Sequence, residues 1–317
     1  MTCFMSLQQY TRIFMKKVLI FARMGCKIVA AVQTLPKEGE DFTPESTDFE
    51  PAGSAFQAYE MFDAFSIPVD LVAPVGSGVY GQKVEELAEE KHIPVEYHQD
   101  ELQGVEYCFK DAHGKKTGMV VPGSEYDFDE SFTEYTDGEE ISAIVAFGDL
   151  FCGNGAEELV ESISRFDCPF YFVPQGNIEN IEEDVLKDIL SLSCEVCLSG
   201  QEAGALHSSK DLYTAIGLLQ KQTGRGVFCF TQDTGVVYRD GTEDLRVEWN
   251  TQIAVKEEDI SVIILAFIIS RISTVDVRNS LMFSKEYLER YLRNQRNMDA
   301  YDQDAQRQKL IHLITMK

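Results

Sequence analysis

Positive charge is scarce in this sequence, which has 28 lysine and arginine residues against 53 aspartate and glutamate residues. The resulting formal net charge of -25 repels nucleic acid and anionic membrane surfaces. Long apolar runs are also lacking, because the longest, residues 260–269, is interrupted by Ser261 and reaches about half of the roughly 20 residues that a membrane span needs. The composition therefore predicts a soluble protein that binds neither nucleic acid nor a membrane.

Common metal-binding and catalytic motifs are missing as well. The five histidines show no His-x-x-x-His or His-Glu-x-x-His spacing, and neither Gly-x-Ser-x-Gly nor Gly-x-x-x-x-Gly-Lys-Ser/Thr occurs. Cys194 and Cys197 have metal-ligand spacing, but no second pair completes a site, so we interpret both as core thiols. No metal site is predicted from side-chain spacing. Eight scattered cysteines without a secretion signal indicate reduced thiols, and we expect a cytoplasmic protein.

Short apolar segments bounded by turn residues recur along the sequence and are typical of buried parallel strands. They are residues 18–22, 70–75, 142–147, 169–173, 194–198 and 227–230. Helical patterns lie between them, at residues 55–65, 79–91, 155–166, 181–192 and 209–223. This alternation predicts βαβ units with helices on both faces of one sheet.

Two stretches, residues 28–50 and 94–121, alternate polar and apolar residues instead, and predict a small antiparallel sheet that acts as a lid or a dimer surface. A turn at residues 113–116 predicts a hairpin within the second stretch. Residues 122–140 follow with eight acids and no basic residue, and we interpret them as an exposed acidic connection with its aromatic side chains folded back.

The two ends of the chain are predicted to lie outside the main domain, which we place at residues 16–285. Residues 1–15 are interpreted as an N-terminal extension, because Met15 precedes the first apolar strand directly. Residues 286–317 are amphipathic and charged, and predict a helical tail. Its helix either packs on the body or binds a partner, with the polar residues 293–308 as a spacer.

Six local sequences occur in a fixed order. They are residues 35–40 (LPKEGE), 52–58 (AGSAFQA), 75–81 (VGSGVYG), 115–116 (KK), 198–202 (LSGQE) and 256–259 (KEED). In order and spacing they resemble motifs of the PfkB, or ribokinase-like, carbohydrate kinases over about residues 16–285. The 76–81 segment also fits Gly-x-Gly-x-x-Gly, but it follows a later strand than a Rossmann nucleotide site requires.

The resemblance implies a three-layer α/β/α sandwich with a mainly parallel central sheet, a small β-sheet lid and a homodimer formed through that lid. It also implies ATP-dependent phosphoryl transfer to a hydroxyl of a sugar or sugar-like metabolite, with Mg²⁺ as the divalent ion. Such a reaction depends on positioning and on neutralisation of the transferred charge.

The same resemblance implies roles for individual residues. Asp259 matches the catalytic base, with Lys256 beside it assisting the phosphoryl group. On the acceptor side, Lys27, Gly53 and Gln57 are expected to contact the substrate.

On the nucleotide side, Thr231 and Gly235 are the expected contacts of the cofactor. Glu202 lies one position from the family's acidic residue there, so it is the expected substitute.

The chain departs from the family pattern where anions bind. Lys256 and Glu258 replace two glycines whose backbone amides hold the phosphoryl group, and Glu257 lies between them. Acids in a first helical turn also have an ordinary explanation, since they complement the helix dipole. Two hypotheses therefore stay open: a working kinase with an unusual acceptor, or a catalytically impaired family member that acts as a metabolite-binding or protein-interaction module.

Overall fold

The structure is a computed structural model that describes residues 16–35, 39, 41–134, 136–207, 211–250 and 252–315. The predicted N-terminal extension (1–15) and most of the motif at residues 35–40 lie outside the described residues.

The described residues form fourteen strands. They are β1 (Lys17–Phe21), β2 (Gly25–Val32), β3 (Ser46–Ala52), β4 (Val69–Val72), β5 (Val75–Ser77), β6 (His98–Leu102), β7 (Val105–Asp111), β8 (Lys116–Val121), β9 (Ile141–Phe147), β10 (Phe170–Val173), β11 (Glu195–Ser199), β12 (Val227–Thr231), β13 (Gly235–Arg239) and β14 (Asp244–Val247).

Nine α-helices lie within the described ranges. They are α1 (Ser54–Ala64), α2 (Gly78–Glu90), α3 (Ala156–Ser164), α4 (Glu183–Ser191), α5 (Gly200–His207), α6 (Leu212–Thr223), α7 (Glu257–Ile272), α8 (Val277–Arg293) and α9 (Ala300–Thr315). None of these helices is long and apolar enough to cross a membrane.

The main sheet has eight strands in the order β14-β13-β12-β11-β10-β9-β1-β4. The strands from β12 to β4 run parallel, and β13 and β14 complete one edge as antiparallel hairpin strands. The predicted mainly parallel sheet is thus confirmed. Because the carboxyl ends of its parallel strands share one edge, side chains that follow those strands are gathered there.

Helices cover both faces of this sheet. Along β1, Val18 and Ile20 belong to the core that contains α1, α2 and α7, whereas Leu19 and Phe21 belong to the core that contains α3, α4 and α6. Successive side chains of a strand point to opposite faces, so a strand buried on both faces has no polar alternation. The three-layer α/β/α prediction is confirmed.

A four-stranded lid, in the order β3-β2-β7-β8, lies beside the main sheet. Its position was predicted, but the expectation of a purely antiparallel sheet is wrong, because β2 and β7 pair in parallel. Residues 98–102 do not join the lid; they form β6 and pair with β5.

The acidic connection is less exposed than predicted. Glu125 is buried, and its carboxylate accepts hydrogen bonds from the backbone N–H groups of Gly104 and Gly123. Phe128 is folded into the core as expected.

The C-terminal helix packs on the body. Leu310 is buried, and the Arg307 guanidinium donates to the carbonyl oxygen of Ala64 at the end of α1. This arrangement favours the packed-helix alternative for the tail. The predicted domain boundary at 285/286 falls inside α8, and the division into domain and tail stays a prediction.

One acid of the main sheet is poorly solvated. Glu195 begins β11, and its Oε1 atom is enclosed and has no hydrogen-bond partner. Burial raises the pKa of Glu195 to about 7, although the nearby Arg271 acts to lower it. The folded protein therefore binds this proton more tightly than the unfolded chain does.

Stability should consequently fall as the pH rises through 7. A folded-state pKa above the unfolded value favours folding at low pH, and this contribution is lost between about pH 5 and 8, at a cost of about 2 kcal/mol. We expect Glu195→Gln to remove that part of the pH dependence in urea unfolding measured at pH 5, 6.5 and 8. The exposed Glu161→Gln is the matched control, and parallel pH profiles for the wild type and Glu195→Gln would contradict the assignment.

Candidate functional site

A cleft of about 830 Å³ lies at the carboxyl ends of β10, β11 and β12, next to the start of α7. Its floor is apolar, with Val173, Phe230 and Ile264 nearly inaccessible to solvent. Four carboxylates line it as well, those of Glu179, Glu202, Glu257 and Glu258. Among the described residues, no lysine or arginine lines the cleft. The cleft is therefore acidic where a phosphate-binding site would be basic.

Asp259, the predicted base, lies in the first turn of α7 but does not line the cleft. Its side chain is inaccessible to solvent, and both of its oxygens accept hydrogen bonds from Arg296, at 2.9 Å from Nε and 2.9 Å from the terminal nitrogen. Oδ2 also accepts the backbone N–H of Lys256 at 2.8 Å. Asp259 thus caps its own helix and forms a buried, two-pronged ion pair.

The loop between α8 and α9 brings Arg296 to this position. Gln295 and Arg296 have φ angles of 56° and 64°, a left-handed conformation that is costly for residues with side chains. The loop is anchored on both sides, because Arg290 and Asn294 each bond the Asp302 carboxylate. Hydrogen bonding to Asp259 keeps the pKa of Arg296 above its usual value.

Glu258 connects the helix start to the lid. Its carboxylate accepts hydrogen bonds from Lys116 of β8 at 3.1 Å and from Lys256 at 3.3 Å. Partial burial opposes ionisation of this acid, but the two ammonium groups hold the pKa of Glu258 below its usual range. Lys256, predicted to assist the phosphoryl group, is therefore paired with an acid of its own helix.

The three residues predicted on the nucleotide side have structural partners. The Glu202 carboxylate accepts the backbone N–H groups of Gly176 at 2.6 Å and Ser199 at 2.7 Å, which ties the loop after β10 to the end of β11. Thr231 bonds the Thr234 hydroxyl within the β12–β13 turn. Glu202 and Thr231 still line the cleft.

Gly235 is required by the backbone. Its φ angle is 84°, and a methyl group there would lie 2.2 Å from the carbonyl oxygen of Val247. It does not line the cleft. The turn geometry alone accounts for a glycine at this position.

The residues predicted on the acceptor side are dispersed. Lys27 pairs with Glu50 of the neighbouring lid strand at 3.1 Å, and Gln57 bonds the Ser261 hydroxyl, joining α1 to α7. Gly53 has a φ angle of 85°, and a methyl group there would lie 2.3 Å from the carbonyl oxygen of Arg23. None of the three lines the cleft.

Sequence reasoning missed a buried polar cluster at the same edge of the sheet, centred on Arg23. Arg23 lies two residues after the end of β1 and is only 7% exposed; its guanidinium bonds Glu106 of the lid at 2.5 Å and lies over the Tyr126 ring at 4.9 Å. Asp149, after β9, accepts the Ser54 hydroxyl at 2.7 Å. We call Arg23, Ser54, Glu106, Tyr126, Asp149 and Asn177 the Arg23 cluster; Asn177 donates to Asp149 at 2.8 Å.

The Arg23 cluster holds a permanent charge away from water. Burial alone would lower the pKa of Arg23, but Asp149, Tyr126 and Glu106 together raise it above its usual value. The Nε atom of Arg23 nevertheless has no hydrogen-bond partner. A charged residue directly after a buried apolar strand was the signal in the sequence that pointed to this site.

A metal centre is not formed by the described part of the chain, where no three His, Cys, Asp or Glu side chains are grouped to hold an ion. Cys194 and Cys197 are both buried free thiols, as predicted.

No protein-family sequence model matches this chain, and no curated protein sequence does either. Solved structures do match. A ribokinase from Thermotoga maritima has a TM-score of 0.77 at 15% identity, over 94% of this chain and 99% of its own. An Arabidopsis thaliana ribokinase in complex with ribose and ATP has a TM-score of 0.73 at 12% identity, over 93% of this chain and 99% of its own. A PfkB protein from Polaromonas has a TM-score of 0.70 at 12% identity, over 93% of this chain and 99% of its own.

The chain has the ribokinase-like fold. Within this ribokinase-like chain, the cleft, Asp259 and the Arg23 cluster all lie at the carboxyl edge of the sheet, where open α/β sheets bind their ligands. Two of these three sites, Asp259 and the Arg23 cluster, are occupied by ion pairs and hydrogen bonds within the protein itself.

Removal of Arg296 should destabilise the fold, because it leaves the Asp259 carboxylate buried without its cation. We expect Arg296→Gln to lower the free energy of unfolding by about 3 kcal/mol in urea titrations. Arg293→Gln is the matched control, since that side chain is 69% exposed and should change stability by less than about 0.5 kcal/mol.

A double-mutant cycle isolates the ion pair itself. Asp259→Asn combined with Arg296→Gln should cost less than the sum of the two single changes, because neither charge is then left alone. Strictly additive losses would mean that the two side chains are not coupled.

Proposed function

We propose that this chain is a divergent PfkB-type carbohydrate kinase homologue that has lost phosphoryl transfer and acts as a small-molecule-binding module. The observation that carries this proposal is the Asp259 carboxylate, which is inaccessible to solvent and has both oxygens bonded to Arg296. A general base must reach the proton that it removes, and its lone pairs must be available.

The charge of the cleft supports the same proposal. Phosphoryl transfer needs groups that neutralise the developing negative charge, such as backbone amides at glycines, cationic side chains or metal ions. Here Glu257 and Glu258 project from the start of α7 into the cleft, and Lys116 and Lys256 are paired with Glu258. The described residues do not fit a nucleoside triphosphate with Mg²⁺.

The region expected to bind the acceptor also supports the proposed loss of phosphoryl transfer. The Arg23 cluster fills the edge of the sheet between β1 and β9 with internally bonded side chains, and Phe56 and Met24 are buried beside it. A sugar would have to displace a buried ion pair to enter, which is costly.

A working kinase with an unusual acceptor remains the competing hypothesis, and one observation favours it. Asp259 is retained in the first turn of a buried helix, next to an open cleft. The Arabidopsis relative binds ribose and ATP, and a Cryptococcus neoformans ribokinase of the same fold binds ADP.

Calorimetry with Mg-ATP separates the two hypotheses. We expect no affinity tighter than about 1 mM, because four carboxylates line the cleft. Coupled assays with ATP and a panel of sugars should give no ADP release above that of the Asp259→Asn variant. Micromolar binding of Mg-ATP, or turnover that Asp259→Asn abolishes, would refute the proposed loss of transfer.

We also propose a homodimer through the lid. One row of side chains crosses all four lid strands in register, with Ile28 and Tyr107 in the middle packed against the body of the protein and Phe49 and Met119 on the two outer strands. Phe49, Met119 and Val121 are 41%, 57% and 45% exposed, so this face presents apolar surface at its edges. Exposed apolar groups on a sheet face are typical of a contact surface.

Charge placed on that row should disrupt the dimer. We expect Met119→Lys to shift the mass in light scattering from two chains to one, because a second copy would bury the ammonium group. Tyr301→Lys, at a 78% exposed position in α9, is the control and should leave the mass unchanged. A wild-type protein that is monomeric at micromolar concentration would contradict the proposal.

We also propose a cytoplasmic location. All seven cysteines in the described part of the chain are free thiols, and a reducing compartment keeps thiols in that state.

A further inference from the structure

The cleft is the open part of the carboxyl edge of the main sheet, and both apolar and acidic side chains line it. The cleft beside α7 has a volume of about 830 Å³, which is within the range of small-molecule sites. Val173, Phe230 and Ile264 lie beneath the cleft and are at most 3% exposed, and the half-buried Leu212, Val255 and Ile260 add the accessible apolar surface of its floor. Such a floor suits the aliphatic or aromatic part of a ligand.

The rim of the cleft carries uncompensated negative charge. Glu179 and Glu257 are exposed, and neither forms an ion pair with a described residue. The Oε1 atom of Glu257 lies 3.8 Å from the position that a methyl group on Gly176 would occupy, which places this carboxylate over the loop after β10.

The other two acids of the cleft are already neutralised or bonded. Glu202 is 9% exposed and accepts two backbone N–H groups, whereas Glu258 is paired with Lys116 and Lys256. Lys116 and Lys256 are thus occupied, and Glu179 and Glu257 remain to meet a ligand. Anionic ligands are repelled by these two groups, whereas a neutral hydroxyl can donate a hydrogen bond to a carboxylate but carries no charge for it to attract.

We propose that the cleft binds an organic cation, a primary amine with an apolar body, through Glu179 and Glu257 at the rim and the apolar floor below. This inference rests on the proposed loss of phosphoryl transfer, and it names the class of ligand that the binding module takes.

Three ligands of the same shape and different charge test the proposal by calorimetry at 0.1 M salt: 2-phenylethylamine, 2-phenylethanol and 3-phenylpropanoate. We expect the amine to bind with a Kd below about 1 mM, the alcohol about 10-fold more weakly, and the carboxylate not at all up to 10 mM. An amine that gives no binding signal up to 10 mM, or that binds no better than the alcohol, would overturn the proposal.

Variants locate the site. Glu179→Gln with Glu257→Gln should weaken amine binding about 10-fold and leave alcohol binding unchanged. Glu157→Gln with Glu161→Gln, on the exposed face of α3, changes the net charge equally and should have no effect. Equal losses in both double variants would assign the binding to the general charge of the protein and would overturn the proposal.

A parallel titration with Mg-ATP separates this inference from the proposed function. Failure of the amine with no ATP binding leaves the impaired-kinase proposal standing and removes only the ligand class. Micromolar ATP binding removes both.

Discussion

The ion pair between Arg23 and Glu106 joins the main sheet to the lid, and the layout of the sheet edge depends on it. Arg23 is held at the end of β1 and Glu106 lies on β7, 83 residues further along the chain. A guanidinium that is 7% exposed must keep its partners, because removal of one partner from a buried pair costs several kcal/mol. These two side chains therefore tie the lid to this edge, and the Lys116–Glu258 pair is a second, more exposed tie.

The same constraint governs the start of α7. Asp259 could serve as a base only if its carboxylate met an acceptor, yet a carboxylate withdrawn from water needs a cation or several donors at once. Arg296 and the Lys256 backbone provide these, and the left-handed residues Gln295 and Arg296 are the local backbone cost of bringing the guanidinium there. In both places the charges are satisfied by other groups of the same chain.

The sequence predicted the fold well because the fold rests on local patterns. Each of the six apolar segments, and each helix between them, can be recognised from about ten consecutive residues. Val18 and Ile20 lie in one core and Leu19 and Phe21 in the other, which follows from the two-residue period of a strand. The partners in the site are not local. Arg23 meets Glu106, Ser54 meets Asp149 across 95 residues, and Asp259 meets Arg296 across 37. Family motifs located Asp259 and Glu202 in the chain, but only the tertiary structure gives their neighbours.

The two glycines predicted as site residues show the same limit of prediction from sequence. The family resemblance implied ligand contacts at Gly53, on the acceptor side, and at Gly235, on the nucleotide side. In the structure both have positive φ angles and lie against the carbonyl oxygens of Arg23 and Val247, so packing and turn geometry require them whether or not a ligand binds. A glycine that matches a family motif is thus weak evidence for catalysis. The charges at the edge are stronger evidence, because a buried acid or base must be matched. The charges of Arg23 and Asp259 are matched by other groups of the same chain, so at these two residues the edge of the sheet is closed to a ligand. Glu179 and Glu257 are exposed to solvent, so this part of the edge stays open, and its negative charge favours the organic cation proposed above.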